Sequence, residues 1–195
     1  MIVLGINAYH GDSSACLVKN GVLIAAAEEE RFRRIKHWAG FPSEAIRYCM
    51  QAANIGLHEI DHVAINTDPK ANLLKKVGFT LTKHPDFGLV MDRIKNAKER
   101  TSLEEELERA FHGSVFKGKI QHVEHHLAHL ASSFLVAPFE DATAVSIDGF
   151  GDFASAAWGQ GKGASIEVEE RIYFPHSLGI FYQAVTQYRV HHMRS

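Results

Sequence analysis

The chain is short of cysteine, nearly free of net charge and without a long apolar run, and each shortage removes a class of protein. Its two cysteines, Cys16 and Cys49, follow no spacing motif. They read as small core residues, which disfavours a disulfide or a cysteine nucleophile. A formal net charge of -2 supplies no unbalanced excess of Lys and Arg for nucleic acid or an anionic membrane. No charged-then-apolar leader is present, and no apolar stretch approaches the roughly 20 residues that span a bilayer, so a cytoplasmic protein with no membrane or nucleic-acid partner is expected. What is present is an ordinary globular composition, 46% hydrophobic and 23% charged over 195 residues, together with thirteen histidines.

The hydrophobic pattern opens with strands. Residues 1–7 form a nearly continuous apolar run, and 14–18 and 22–27 flank an Asn20-Gly21 turn, the signature of a hairpin. An amphipathic helix begins at Pro42-Ser43 and runs to about Asn54, closed by Gly56, and 62–66 is a further strand. Residues 69–113 are more polar and read as a helical insertion, with Ser102-Leu103-Glu104-Glu105 as a capping box. Strands follow at 117–123 and 142–147. Trp158, a glycine-rich turn at 159–163 and 166–173 suggest another hairpin, and 178–188 a helix.

Laying residue 3 on residue 144 without gaps reveals an internal repeat. Ile6 meets Ile147, Asn7 meets Asp148, Ser14-Ala15 meets Ser155-Ala156, and Glu28-Glu29 meets Glu169-Glu170. Two three-stranded meanders, each followed by helices, are the plan of the duplicated actin, sugar kinase and Hsp70 architecture, an α/β, ribonuclease H-like fold. The expected domains are a first subdomain over 1–140 with the insertion, the start of an incomplete second over 141–188, and a non-matching tail over 189–195. In that architecture the turn after each first strand faces a phosphate, because backbone N–H groups in a Gly-containing turn form an anion-binding concavity. Gly11, Ser13 and Ser14 in one copy, and Gly149, Gly151 and Asp152 in the other, are therefore the expected cofactor-binding residues.

The chemistry concentrates in two places. His125 and His129 are four residues apart in a helical segment, so both imidazoles share one face and can share one divalent ion. Asp148, ending the next strand, supplies an oxygen, and two imidazoles with a carboxylate suit Fe(II), Zn(II) or Mn(II). His126 points to another face. In the first turn, His10 or Asp12 is a candidate general base toward a substrate hydroxyl. The run Glu28 to His37 is either a solvated strand end with weak ion pairs or, through Arg31, Arg34, Lys36 and His37, a wall that holds a polyanionic or hydroxyl-rich ligand.

The stretches GINAYHGDSSACLV, AAAEEERFRRIKHWAGFPSEAIRYC, HHLAHLASSF, AVSIDGFGD and FPHSLGIFYQAVTQY resemble the N-terminal domain of the nodulation and antibiotic O-carbamoyltransferases. The resemblance implies a domain similar to the metal-dependent ATPase that attaches threonylcarbamoyl to tRNA. It implies that a separate C-terminal adenylate-forming domain makes carbamoyl-adenylate from carbamoyl phosphate and ATP. The N-terminal domain then transfers the carbamoyl group to an acceptor hydroxyl on a small, sugar-like or antibiotic-like molecule. It further implies Fe(II) held by His125, His129 and Asp148, with another aspartate from later sequence, and His10 and Asp12 on the acceptor side. The end of the chain, Arg189 to Ser195, does not resemble the family's continuation, so inactivity of this piece alone is expected. Two other readings stay open: a non-catalytic nucleotide- or partner-binding module of the same fold, and a kinase-like or chaperone-like ATPase that needs no His pair.

Overall fold

The computed structural model describes residues 1–83 and 102–192, with side chains described up to 82 and from 102 to 188. In chain order the first elements are β1 (Ile2–Asn7), β2 (Ser14–Lys19), β3 (Val22–Glu28), α1 (Glu30–Arg33), α2 (Ser43–Ala53), β4 (His62–Ile65), α3 (Leu73–Lys83) and α4 (Leu103–Ala110). They are followed by β5 (Lys119–His122), α5 (His125–Phe134), β6 (Asp141–Gly151), β7 (Ala154–Lys162), β8 (Ser165–Tyr173) and α6 (Leu178–His192). Part of the expected polar insertion, 84–101, lies outside the described residues. The described residues fall into two compact units, one holding 1–66 and 102–122, the other 67–83 and 123–192. No helix among them is long and apolar enough to cross a membrane.

The first unit is a five-stranded sheet in the order β3-β2-β1-β4-β5. Strands β1, β2 and β3 form an antiparallel meander, and β4 and β5 join β1 in parallel. This is the sheet expected of an actin-like subdomain. The Asn20-Gly21 turn works because both residues take positive φ, 52° and 82°, the type I′ geometry that matches strand twist. Ala45, Ile46, Cys49 and Met50 form the buried stripe of α2, packed with Leu4, Leu17, Leu57, Val63 and Leu107. Asn54, in the left-handed conformation, ends α2 ahead of Gly56. Both cysteines are unpaired, and burial pushes their thiols up, Cys49 to about 11.

One charged group is built into this core. Glu29 is fully buried. It accepts from Ala45 N at 2.8 Å and Glu44 N at 3.2 Å, at the start of α2, and from Arg33 Nε at 2.6 Å. Arg33 in turn lies over the Trp38 ring and donates to Ser43 Oγ. Glu29 thereby satisfies orphan N–H groups of the helix N-terminus and offsets its own desolvation.

The second unit is the antiparallel meander β6-β7-β8. Along β6 the even positions Ala142, Ala144, Ser146 and Asp148 are covered to varying degrees, while Thr143, Val145 and Ile147 are exposed, the period of two that a strand imposes. Helix α5 covers that inner face, burying Leu130 and Phe134 against Ala144 and Ala157. Two glycines expected in a turn lie instead within β7. A Cβ on Gly161 would stand 2.6 Å from the Phe134 ring, and one on Gly159 would stand 2.2 Å from Glu167 O, so both are close-approach glycines. The turn itself is Gly163, at φ 58°. Helix α3 joins this unit through Phe79, whose ring meets Phe153 and Phe174 at 5.8 and 5.0 Å.

The repeat is structural in its first two strands. Ile6 pairs with Ala15, and at the matching positions Ile147 pairs with Ala156. It fails in the third: Ala15 pairs with Ala27, whereas Ala156 pairs with Ile172. The match of Glu28-Glu29 with Glu169-Glu170 is therefore not a structural equivalence. The second β-ribbon is longer, with Glu169 and Glu170 inside β8.

Replacing Glu29 by Ala strands Arg33 and two helix N–H groups. Urea unfolding is expected to show a loss of about 3 kcal/mol, whereas Arg31→Ala, which removes only an exposed 3.8 Å pair with Glu28, should fall within about 0.5 kcal/mol of the original protein.

Candidate metal centre

Two residues of α5 and one of β6 meet inside the second unit. His125 Nε2 lies 2.8 Å from Asp148 Oδ2 and 3.0 Å from His129 Nε2, and His129 Nε2 lies 3.5 Å from Asp148 Oδ2. Three ligand-type atoms, all within 4.8 Å of one another, thus face one point. Donors bound about 2.1 Å from a common ion stand about 3.0 to 3.4 Å apart around a coordination polyhedron, and the sides of this triangle, 2.8 to 3.5 Å, bracket that range. His125 is buried while His129 and Asp148 are 46% and 42% exposed at the side chain, so the cluster opens to one side.

Each ligand-type residue is seated by its surroundings. Glu124 caps α5, its Oε2 accepting from Leu127 N at 2.9 Å and from Arg171 of β8 at 3.2 Å. Asp152 accepts from His125 N at 2.9 Å, from Asp68 N at 2.8 Å and from Thr67 Oγ1 at 3.0 Å, and its carbonyl accepts from Asn72 Nδ2. The Asp152 carboxylate, expected toward a cofactor, is occupied in binding the 67–72 loop and the start of the His helix. Gly149 and Gly151, expected in a turn, lie on the bulged end of β6, and the turn is Asp152-Phe153 at φ 49° and 74°. A Cβ on Gly151 would stand 2.0 Å from His125 Cδ2, so only glycine leaves room for that ring. Asp148 is fixed through its backbone: Ser177 Oγ donates to the Gly149 carbonyl at 2.8 Å, and Gly179 packs on the Asp148 carbonyl.

Electrostatics suit a cation. Burial pushes the Asp148 carboxyl up, but the His125 hydrogen bond, the Gly149 N–H and the neighbouring imidazole charges outweigh it and hold the group below the ordinary carboxylate range. Burial pulls the His126 imidazole below the ordinary histidine range, against weaker upward pulls from the Ala154 backbone and Glu124. His126 Nδ1 lies 2.9 Å from Ser146 Oγ.

In the first unit, the turn that follows β1 holds His10, Gly11, Asp12, Ser13 and Ser14. Ser13 is buried and its hydroxyl meets the His10 and Gly40 carbonyls at 3.2 and 2.8 Å. Ser14 begins β2, paired with Asn7 and Glu28. Asp12, at φ 63°, places Oδ1 2.9 Å from Nδ1 of His37, itself at φ 54°. Gly11 has open space around it. The Glu28-to-His37 run divides: Arg31 forms an exposed 3.8 Å pair with Glu28, Arg33 serves buried Glu29, and Arg31, Arg34 and Lys36 line a surface hollow with Glu30 and Ile35.

The model of the carbamoyltransferase N-terminus matches residues 2–194. The chain belongs to that carbamoyltransferase family. A Synechocystis protein designated uncharacterized protein sll1178 is 36% identical over 95% of this chain and 31% of its own length. Nodulation protein NolNO of Sinorhizobium fredii is 34% identical over 93% of this chain and 26% of its own length. The chain thus spans about a third or less of these relatives. Among solved structures, YeaZ from Pseudomonas aeruginosa aligns over 89% of this chain and 67% of its own at 14% identity, with a TM-score of 0.45.

For this carbamoyltransferase domain, sequence reasoning located the three ligand-type residues and missed their supports. His37 as the partner of Asp12 and Gly151 as the seat of His125 carry no spacing signal. Ser146 was legible only as the residue two before Asp148 on the same strand face.

His126 gives a pH signature. Its folded pKa lies below the unfolded value, so the stability it contributes is present above about pH 6.5 and is lost as pH falls through its folded pKa. In paired urea titrations, the protein should lose stability relative to His126→Asn on acidification from pH 7 to 5.

Proposed function

We propose that this chain is the acceptor-side part of a metal-dependent O-carbamoyltransferase, which moves a carbamoyl group from carbamoyl-adenylate to a hydroxyl of a small molecule. The observation that carries it is the convergence of His125 Nε2, His129 Nε2 and Asp148 Oδ2 in a chain of the carbamoyltransferase family. The residues fit a divalent ion of the Fe(II), Zn(II) or Mn(II) kind, and such an ion, when bound, supplies Lewis-acid polarisation of the carbonyl or neutralisation of the leaving phosphate. Full turnover also needs carbamoyl-adenylate, which in this reading is made from carbamoyl phosphate and ATP by an adenylate-forming domain outside this chain.

The chain's own residues have separable tasks. His125, His129 and Asp148 hold the cation. In this reading Asp12 and His10 of the first unit serve the acceptor, and the 2.9 Å contact of Asp12 with His37 Nδ1 supports an imidazole that can accept the acceptor's hydroxyl proton. The acceptor oxygen then bonds to the carbamoyl carbon, the bond to the adenylate phosphate breaks, and the proton goes to the base. No covalent intermediate on the protein is needed.

Metal titration tests the reading first. The protein should bind about one divalent ion, and His125→Ala or Asp148→Ala should weaken it by at least about 100-fold. Gly151→Ala, which forces the His125 ring aside, should weaken it by about tenfold or more. Adding the remainder of the enzyme, as found in the longer relatives, should restore carbamoyl transfer. Metal binding without transfer in that complete enzyme would favour a binding module, and no metal binding at all would contradict the metal-centre reading.

A further inference from the structure

Beyond His125, which reaches Asp148, the buried side chains of α5 are apolar except at one point. Leu130 and Phe134 meet Ala144 and Ala157. His126 stands four and eight residues before those two, so it heads the same helix stripe, and it is fully buried. An aliphatic side chain would fill such a place without desolvating an imidazole. Instead, His126 Nδ1 meets Ser146 Oγ at 2.9 Å, and its ring stands edge-on to His125 with centroids 5.4 Å apart. Ser146 lies two residues before Asp148 on the inner face of β6.

We propose that the His126–Ser146 pair is a positioning device that sets the register of α5 on β6 and so brings His125 and His129 to Asp148. It rests on the metal-centre reading above. Apolar contact is non-directional, and the alanines of the sheet offer Leu130 similar surroundings at neighbouring positions. A hydrogen bond between two buried groups is not so tolerant, since any slip leaves both without a partner. The ligand-type atoms lie 2.8 to 3.5 Å apart, so a shift of even one residue rise, about 1.5 Å, would spoil the triangle. A competing device exists at the other end of the helix, where Phe134 fits over Gly161. If that notch alone sets the register, the polar pair is dispensable to the metal.

Cobalt(II) titration of the protein and three variants separates the two. Asparagine places an amide atom where His Nδ1 stands, so His126→Asn can keep the bond to Ser146, while His126→Leu and Ser146→Ala cannot. Both of the latter should weaken Co(II) about tenfold or more and alter its visible absorption, whereas His126→Asn should stay within about threefold with the original spectrum. Thermal unfolding of the metal-free proteins is measured alongside. Original affinity and spectrum in Ser146→Ala and His126→Leu, even with a lowered Tm, would overturn the proposal and leave the pair a packing feature. If His126→Leu does not fold, Ser146→Ala decides. Failure of the unmutated protein to bind Co(II) would remove the metal-centre reading itself and this proposal with it, a result distinct from loss in the variants alone.

Discussion

Everything of chemical interest in the second unit depends on the packing of α5 onto the inner face of β6 and β7. Burial of Leu130 and Phe134 against Ala144 and Ala157 supplies the non-directional attraction. The strand's period of two then presents Asp148 on the face where the helix presents His125 and His129. Neither element alone could gather three ligand-type atoms. The helix offers two imidazoles one turn apart, and the carboxylate has to come from a strand held at a fixed height beside them.

Half-buried polar groups brace that arrangement. Asp152 ties the start of α5 to the 67–72 loop, Glu124 ties it to Arg171, and Ser177 fastens the first turn of α6 to the backbone at Gly149. In the first unit, Glu29 does the same for α2. These groups satisfy helix ends that would otherwise bury unpaired N–H donors. Asp12 and His37 in one unit, and His129 and Asp148 in the other, keep exposed side chains.

Much of this was legible in the sequence because it follows from periodicity and turn chemistry. Alternating apolar residues and Asn20-Gly21 gave the first hairpin, and the four-residue spacing of His125 and His129 gave the shared helix face. The ungapped repeat located Asp148 at the end of a first strand, and the register of the first two strands in both copies supports that alignment. What was hidden depends on close approach in three dimensions. Gly151, Gly159 and Gly161 read as turn glycines, yet each marks a place where a ring or a neighbouring strand leaves no space for a Cβ. Asp152 read as a ligand-facing acid because pattern alone cannot show that three donors already surround a carboxylate.

The central claim is that His125, His129 and Asp148 are ligands of one ion. Crystals grown with Fe(II) or Co(II), measured at that metal's absorption edge, test it most directly. The account predicts one dominant anomalous peak, about 2.1 Å from His125 Nε2, His129 Nε2 and Asp148 Oδ2. A dominant peak elsewhere, or none with these side chains still bonded to one another, would contradict it.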